Sequence, residues 1–291
     1  MPLRLLKCKV VNASVDWLTC TSSTRDAQAA LWNVGKRMLH RGESEGQDTA
    51  RWHANGYSGW SNGSVSLGAR PDGCILRVSG QQASYQWQEC IRAAENCSRL
   101  DLAVDCQLDT PVTALSREIY RDAGHVRPKS GRIPKRRLIV SSDGGSTVYI
   151  GARASEQFGR VYDKGIESKS LLGGLWWRWE VEYKGKSAWA QAHRLLASDD
   201  HSVLAMATVA QWFRARTTHS YTRSSVAFSA LLSREPTTIE RKLSWLSAAV
   251  RPTVQTLVER VGRERVLAAL GLLPQSAVEH IVPPTNHKEC A

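Results

Sequence analysis

The sequence predicts an α+β fold, in which an antiparallel-sheet domain is flanked by helices and followed by a helical C-terminal region. Two observations predict this class. Short strands and glycine-rich turns dominate the first two thirds of the chain, and helical periodicity dominates after about Ser187. The 291 residues are enough to bury a substantial core, and 42% of them are hydrophobic. We therefore expect a folded globular protein.

The N-terminal quarter of the chain is predicted to contain strands on either side of one helix. Alternation of apolar and polar residues predicts a first strand over Val10–Thr21, followed by a helix from about Thr24 to Met38. A polar loop is expected at His40–Asp48. Residues Trp52–Gly80 are rich in Gly, Ser and Trp, which predicts a meander of short strands joined by glycine-rich turns. An amphipathic helix is expected next, at Ser84–Glu95.

The middle of the chain returns to strands. A strand is predicted over Arg99–Leu108, and a helix over Leu115–Gly124. A strongly basic loop with two prolines follows at Arg121–Arg137. The Asp-Gly-Gly sequence within Leu138–Arg153 predicts a hairpin turn. The last clear strand is expected at Leu175–Gly185.

Helical periodicity marks the C-terminal part of the chain. Val203–Phe213 has the composition of a buried helix, and apolar residues recur at helical spacing within Thr237–Val250. We predict a sheet domain over residues 1–205, a helical region over 206–282 and a disordered tail over 283–291.

The charge of the chain favours a polyanionic partner. The formal net charge is +12, which suits nucleic acid or an anionic membrane surface. No apolar run approaches the roughly 18 residues needed to cross a bilayer, and the first residues do not resemble a signal peptide. The seven cysteines include no Cys-x-x-Cys pair, which predicts reduced thiols in a cytoplasmic protein.

Three of the predicted strands place their charged residues on one face, because side chains alternate across a strand. The charged faces carry Arg99, Asp101 and Asp105 in RLDLAVD, then Arg160, Tyr162 and Lys164 in GRVYDKG, and lastly Arg178, Glu180, Glu182 and Lys184 in RWEVEYK. A strand of this kind is also typical of the solvated face of a half-covered sheet. The two interpretations differ in whether the three faces meet.

If the three faces meet, their residues suit phosphodiester chemistry. Carboxylates that lie close together repel one another, and Mg²⁺ or Mn²⁺ would neutralise them through oxygen ligands. A tyrosine hydroxyl beside a metal-bound phosphate is equipped to attack it, and we expect the nearby cations to favour the phenolate. The sequence contains no His-x-His pair, so carboxylates would have to hold the metal.

Three sequence blocks, RLDLAVD, VYIGARASEQFGRVYDKG and WWRWEVEYK, resemble those of the replication initiation factors of rolling-circle plasmids, filamentous phages and integrative elements. The blocks occur in the same order and with similar spacing in that family. The resemblance covers Val10 to about Ser187. It implies an origin-specific nicking and strand-transfer enzyme that forms a 5′-phosphotyrosine and a free 3′-hydroxyl.

The resemblance also implies roles for individual residues. The nucleophile of the family corresponds to Tyr162, with Tyr149 as the competing tyrosine, and Arg160 and Lys164 would assist it. The metal ligands would be three of four acidic residues, and the sequence leaves open which three; the four are Asp101, Asp105, Glu180 and Glu182. The remaining candidates are phosphate or DNA contacts, namely Arg99, Arg153, Arg178 and Lys184. Apart from the resemblance, the charge of the basic loop suits contacts with the DNA backbone, with a solvated loop as the alternative. Its candidate residues are Arg132, Lys135, Arg136 and Arg137.

The expected partner is origin DNA, both duplex and single-stranded, rather than a membrane. A host helicase and a second copy of the chain are further candidate partners. Trp52 and Trp60 are candidates for stacking on unpaired bases, with burial in the core as the alternative. The C-terminal helices would either bind duplex DNA or mediate self-association.

Two other functions remain open from the sequence. A DNA-binding regulator of the same fold would bind an origin without chemistry. A hydrolytic metal-dependent nuclease would cleave DNA with water and leave no covalent adduct. The residues at the tyrosine, acidic and basic positions of the blocks favour the nicking enzyme.

Overall fold

The computed structural model describes residues 4–44, 46–108, 114–125, 133–170, 173–217, 219–222 and 251–269. Contacts between residues divide the chain into two units, Met1–Glu235 and Pro236–Ala291. The first unit contains a mostly antiparallel sheet and the helices that pack against it. The predicted α+β class is therefore confirmed.

The described residues of the first unit form a sheet of eleven strands. Their bounds are β1 (Arg4–Ser22), β2 (Ala50–Ala54), β3 (Tyr57–Ser61), β4 (Val65–Arg70), β5 (Gly73–Ser79), β6 (Asn96–Leu108), β7 (Arg136–Val140), β8 (Ser146–Ile150), β9 (Gln157–Asp163), β10 (Trp176–Lys184) and β11 (His219–Thr222). Ten of them follow the order β2-β3-β4-β5-β1-β6-β10-β9-β8-β7, and each pairs antiparallel with its neighbours. The remaining strand, β11, pairs parallel with the start of β1. The three charged strands of the sequence blocks are thereby adjacent, in the order β6, β10, β9.

The described helices of the first unit are α1 (Arg25–Ser44), α2 (Gly80–Ala93), α3 (Leu115–Asp122), α4 (Lys164–Glu167), α5 (Gly185–Leu196) and α6 (His201–Arg214), with one 3₁₀ turn at Gly173–Leu175. The second unit contains α7 (Arg251–Val261) and α8 (Arg263–Ala269). Helices α5 and α6 pack against β6 and β10. They cover the apolar face of these strands, so the opposite, charged face is left for other contacts.

The core lies between that apolar sheet face and the helices. Leu100, Leu102 and Val104 of β6 are fully buried, and the ring of Trp179 on β10 meets Phe213 of α6 edge-on at 4.9 Å. The alternation of RLDLAVD and RWEVEYK thus has the predicted packing side. Five cysteines of the described residues are buried and are not joined in disulfides: Cys20, Cys74, Cys90, Cys97 and Cys106.

Several element boundaries differ from those predicted. Helix α1 runs on to Ser44 through the start of the predicted loop at His40–Asp48, because its apolar side chains Met38 and Leu39 are buried. Helix α2 begins at Gly80 rather than Ser84. Gly80 has a φ of 60°, and this left-handed conformation lets the chain turn from β5 directly into the helix.

Two corrections concern candidate site residues. Arg136 and Arg137 belong to strand β7 and not to a basic loop. Lys164 does not continue the charged face of β9, because it is the first residue of α4. The preceding Asp163 caps this turn by accepting a hydrogen bond from the amide of Ile166 at 2.9 Å, and this local bond bends the chain out of the strand.

Some predictions fall on residues that the structure does not describe. Arg132, the segment Thr237–Val250 and the tail 283–291 lie outside the described residues. The proposed domain boundaries at residues 205 and 282 also stay predictions. Within the described ranges, no helix combines the length and apolar character required to span a membrane.

Gly159 on β9 allows α6 to pack closely against the strand that carries Tyr162. A β-carbon at this position would lie 2.2 Å from the ring of Trp212. We expect Gly159→Ala to lower the free energy of unfolding by about 1–3 kcal/mol, measured by urea denaturation, because the overpacked ring must move. Trp212→Phe removes the ring atoms in question. The loss in the double variant should therefore be smaller than the sum of the single losses, and additive losses would contradict this explanation.

Candidate active site

The charged faces of β6, β10 and β9 meet and form a single surface. The sequence left open whether these three faces would meet. Asp105 pairs across the strands with Arg178, which pairs in turn with Tyr162. Two residues along, Ala103 pairs with Glu180, and Glu180 with Arg160. Antiparallel pairing of these registers places all the charged side chains on the face opposite the helices.

Tyr162 lies at the centre of this surface beside a buried carboxylate. Its side chain is 7% exposed, and its hydroxyl donates to Glu180 Oε2 at 3.4 Å. The guanidinium of Arg160 binds the other oxygen of Glu180 and lies 5.6 Å from the centre of the tyrosine ring. Lys164 Nζ lies 5.8 Å from the same ring, although it has left the strand. The predicted catalytic residues are therefore close together.

The electrostatic environment of Tyr162 differs from the expectation that cations would favour its phenolate. Burial raises the pKa of the Tyr162 hydroxyl, and the negative charge of Glu180 raises it further. Arg178 and Arg160 lower this pKa but do not offset burial. A tyrosine with a raised pKa keeps its proton at neutral pH, so a nucleophilic role for Tyr162 would require an acceptor for that proton. Glu180 is within reach of that proton.

Three acidic residues form a cluster next to the tyrosine. Asp101 and Glu182 pair directly across β6 and β10, and Glu180 is the next residue on the same face of β10. Asp101 is fully buried, and Arg99 binds it in a bidentate manner at 2.9 Å and 2.6 Å. Arg99 also lies 3.2 Å from Glu182, which Lys184 contacts at 2.9 Å. Burial raises the pKa of Asp101 well above its usual range, and repulsion from Glu180 and Glu182 adds to this effect.

The fourth predicted acidic residue is separate from this cluster. Asp105 accepts two hydrogen bonds from Arg178, at 2.7 Å and 2.9 Å, and a third from the indole of Trp176 at 3.1 Å. Arg178 also binds Asp16 of β1 at 2.7 Å. Asp105 is therefore saturated by an arginine and an indole, and this distinguishes it from the other three carboxylates.

Asp16 is a member of the site that the sequence analysis missed. The available signal was the alternation of polar residues at Asn12, Ser14 and Asp16 in the first strand, which resembles the alternation in the other three blocks. All three of these residues line a cleft of about 780 Å³ together with Asp105 and Arg178. Strand β1 thus contributes one wall of the site.

A second cleft, of about 330 Å³, opens directly on the tyrosine. It is lined by Thr147, Tyr149, Arg160 and Tyr162, among others. Thr147 and Tyr149 belong to β8, where they pair with Tyr162 and Arg160. Clefts that adjoin β8 on one side and β1 on the other give a substrate access to the buried row of charges.

The competing tyrosine has a different environment. Tyr149 stacks on Phe158 with ring centres 5.5 Å apart, and Arg153 lies 5.8 Å from the centre of each ring. Its hydroxyl has no carboxylate partner among the described hydrogen bonds. Tyr162, which has such a partner, is the stronger candidate for a nucleophile.

The predicted DNA contacts fall into two groups. Arg99, Arg178 and Lys184 bind carboxylates of the site, as described above. Outside it, Lys135 and Arg137 are exposed, and Arg136 is exposed while stacking on the ring of Tyr120 at 4.9 Å. Arg153 lies in the loop before β9. The structure therefore gives the first group a role in holding the site together and leaves the second group available to a ligand.

The residues present fit a divalent cation by their chemistry. Asp101, Glu180 and Glu182 supply oxygen ligands on one face, and their mutual repulsion is the environment that a cation stabilises. In the arrangement described, arginines neutralise these carboxylates, and no three His, Cys, Asp or Glu side chains of the described residues are gathered at metal-ligand spacing. A bound metal would therefore compete with Arg99 and Arg160 for the same oxygens.

Sequence comparison identifies the family of the chain. Residues 95–269 match the family described as "Replication initiation factor", which is more than half of the chain. The chain belongs to the replication initiation factor family. The resemblance drawn from the three blocks is therefore confirmed. The matched region contains every candidate catalytic and metal-binding residue, whereas Asp16 and strands β2 to β5 precede it.

Structural comparison supports the same fold. The chain is similar to a solved structure described as a rolling circle replication initiator protein from Geobacillus stearothermophilus, with a TM-score of 0.52 and 22% sequence identity. The similarity covers 74% of this chain and 88% of the other. No curated protein sequence shows significant similarity to the chain. At this identity the solved structure establishes the fold alone.

Proposed function

We propose that the chain initiates rolling-circle replication by cleaving one strand of origin DNA through Tyr162. The observation that carries this proposal is the position of the Tyr162 hydroxyl, 3.4 Å from Glu180 and at the edge of a cleft. Membership of the replication initiation factor family supports the role, and the described similarity to a rolling circle initiator supports the mode of replication.

The reaction is a transesterification. The Tyr162 oxygen attacks the phosphorus atom of a phosphodiester while its proton passes to Glu180. A bond forms between the tyrosine oxygen and phosphorus, and the bond from phosphorus to the 3′ oxygen breaks. The 3′ oxygen leaves with the electron pair and takes a proton from solvent. The products are a 5′-phosphotyrosine and a 3′-hydroxyl, so the reverse attack can rejoin the strand.

The surrounding cations fit the charge that develops in this reaction. Arg160 and Arg178 both lower the pKa of Tyr162, so both stabilise negative charge on its oxygen. We propose that Asp101, Glu180 and Glu182 hold Mg²⁺ or Mn²⁺, while Asp105 stays with Arg178. The cation would supply charge stabilisation to the phosphoryl oxygens of the bound DNA.

The metal assignment can be tested without DNA. Adding Mn²⁺ should raise the melting temperature of the wild-type protein, because a ligand that binds only the folded state stabilises it by about 2.7 kcal/mol at 100 times its Kd. Asp101→Asn should abolish this rise, whereas Asp105→Asn should keep it. A rise that survives Asp101→Asn and disappears in Asp105→Asn would contradict the assignment of the three ligands.

The nicking reaction itself is tested with single-stranded oligonucleotides that tile the DNA encoding the chain and its flanks. An oligonucleotide labelled at its 3′ end should give a labelled protein band that survives denaturation. The same oligonucleotide labelled at its 5′ end should give a shorter free strand that a polymerase can extend. Cleavage without the protein band would identify a hydrolytic nuclease, and binding without cleavage would identify a regulator.

A further inference from the structure

A row of arginine and aromatic side chains crosses the N-terminal half of the sheet. The guanidinium of Arg77 on β5 lies 4.9 Å from the ring centre of Trp52 on β2, and that of Arg70 lies 4.6 Å from the ring centre of Tyr57. Together with Trp17 on β1 these four residues form what we call the arginine–aromatic strip. An arginine stacked on a ring keeps its N–H groups free at the edge, where they can bind phosphate.

Glycine in one of the two intervening strands shapes the strip. Gly68 on β4 has no side chain, and a β-carbon there would lie 2.8 Å from the Trp52 ring and 3.2 Å from Tyr57. The tryptophan ring therefore lies low across β4 and reaches the guanidinium on β5. The result is a fixed platform, because both partners of the stack are held by the sheet.

The strip lies on the same sheet face as the candidate active site. Thr19 of β1 pairs with Arg77 on one side and with Arg99 on the other, so these two arginines flank it on one face. The guanidinium of Arg99 lies 4.6 Å from the ring centre of Trp17 and also binds Asp101. Arg99 thus joins the strip to the acidic cluster.

Arg77 is the cation of the strip without a counter-ion. No ion pair or side-chain hydrogen bond links it to a described carboxylate, whereas Arg70 pairs with Asp72 at 2.7 Å. Burial lowers the pKa of Arg77, and the nearby charge of Arg99 lowers it further. A half-buried guanidinium next to another cation is the position at which an anionic ligand gains most.

We propose that the arginine–aromatic strip binds the backbone of the unpaired DNA strand that runs to Tyr162. This inference rests on the proposed function, and it names a substrate-binding surface in a part of the chain that precedes the family match. Alternating cations and aromatic rings on an open sheet face are the features that bind single strands without sequence preference. The phosphate groups contact Arg77 and Arg70, and the bases lie over Trp17 and the edge of Trp52.

The hairpin of β2 and β3, which carries Trp52, also provides a matched control. Arg51 is the neighbour of Trp52 on β2, and its guanidinium lies 5.0 Å from the ring centre of Trp60. Adjacent residues of a strand point to opposite faces, so this stack lies on the face opposite the strip. Arg51→Gln therefore removes one positive charge and one arginine–aromatic stack, as Arg77→Gln does, but from the sheet face opposite the strip.

The test is fluorescence anisotropy with a labelled oligothymidylate of roughly 30 nucleotides, in a Tyr162→Phe background so that only binding is measured. We expect Arg77→Gln to weaken binding by about 3- to 10-fold and to reduce the slope of log affinity against log salt by about 0.7, the value for one phosphate of a single strand. Arg77→Lys should be intermediate, because it keeps the charge and loses the planar stack. Arg51→Gln should leave affinity and slope unchanged.

The results that would overturn the inference are equally specific. An equal loss in Arg51→Gln would show that binding follows net charge and not the strip. An equal loss on a duplex of the same length would show that the strip binds duplex backbone and not the unpaired strand. If Arg77→Gln binds with unchanged affinity while the wild-type protein forms the adduct, the strip does not bind the unpaired strand, and the proposed chemistry is unaffected. If the wild-type protein forms no adduct but Arg77→Gln still weakens binding, the strip would stand as a binding surface and the proposed chemistry would be wrong.

Discussion

Tyr162→Phe is expected to lower the rate at which the protein forms its covalent adduct with DNA by roughly 10³-fold or more, because it removes the proposed nucleophilic oxygen. The ring remains in place, since only the hydroxyl is lost, and that hydroxyl makes a single long hydrogen bond to Glu180. The free energy of unfolding should therefore change by no more than about 1.5 kcal/mol. The adduct is measured on a denaturing gel and the DNA affinity by anisotropy.

Tyr149→Phe is the matched control for this variant. Tyr149 lines the same cleft and lies one strand away, but it stacks on Phe158 and lacks the contact with Glu180. It should keep most of the adduct-forming activity. If the adduct persists in Tyr162→Phe and disappears in Tyr149→Phe, the nucleophile is Tyr149. Equal affinity of both variants for DNA excludes a binding defect as the cause of either result.

The second large effect is expected on stability. Arg178→Met should lower the free energy of unfolding by about 3–5 kcal/mol, because it leaves the carboxylate of Asp105 buried without its counter-ion. Asp105 is 3% exposed and receives two of its hydrogen bonds from this arginine. Asp16 loses its partner as well, although it is better solvated. Urea denaturation at neutral pH measures the change.

Two further variants show whether the buried charge is the cause. Adding Asp105→Asn to Arg178→Met removes that charge, so the double variant should recover part of the stability lost in the single one. Arg37→Met breaks the exposed ion pair with Glu89 on the helices and should cost less than about 1 kcal/mol. A cost for Arg178→Met as small as that for Arg37→Met would mean that Asp105 is solvated in solution.

The roles of the two arginine pairs also explain why the site has both stable and reactive parts. Asp105 accepts two hydrogen bonds from Arg178 and one from Trp176, and these bonds fix the start of β10 next to Tyr162. Asp101 is held by one arginine and opposed by two carboxylates. The first pair therefore supports the structure, while the second contains the carboxylates that we propose as metal ligands.

Much of this site follows from the sequence, because strand periodicity is a local property. The alternation in RLDLAVD and RWEVEYK determines that Asp101 and Glu182 lie opposite the apolar residues, whatever the rest of the chain does. The same alternation predicts Tyr162 on a polar face. The three blocks also identify the family, since their order and spacing are properties of the chain itself.

Only the tertiary structure decided how these residues are arranged and which of them are buried. The order β6, β10, β9 determines that Tyr162 faces Arg178 and that its hydroxyl meets Glu180, and strand order depends on pairings between residues far apart in the chain. The raised pKa of Tyr162, contrary to the expected phenolate, depends on burial, which periodicity does not measure. Asp16 joins the site, and Asp105 leaves the proposed metal ligands, through one arginine that reaches across three strands. Sequence thus determined which faces are charged, and packing determined which of those charges are neutralised.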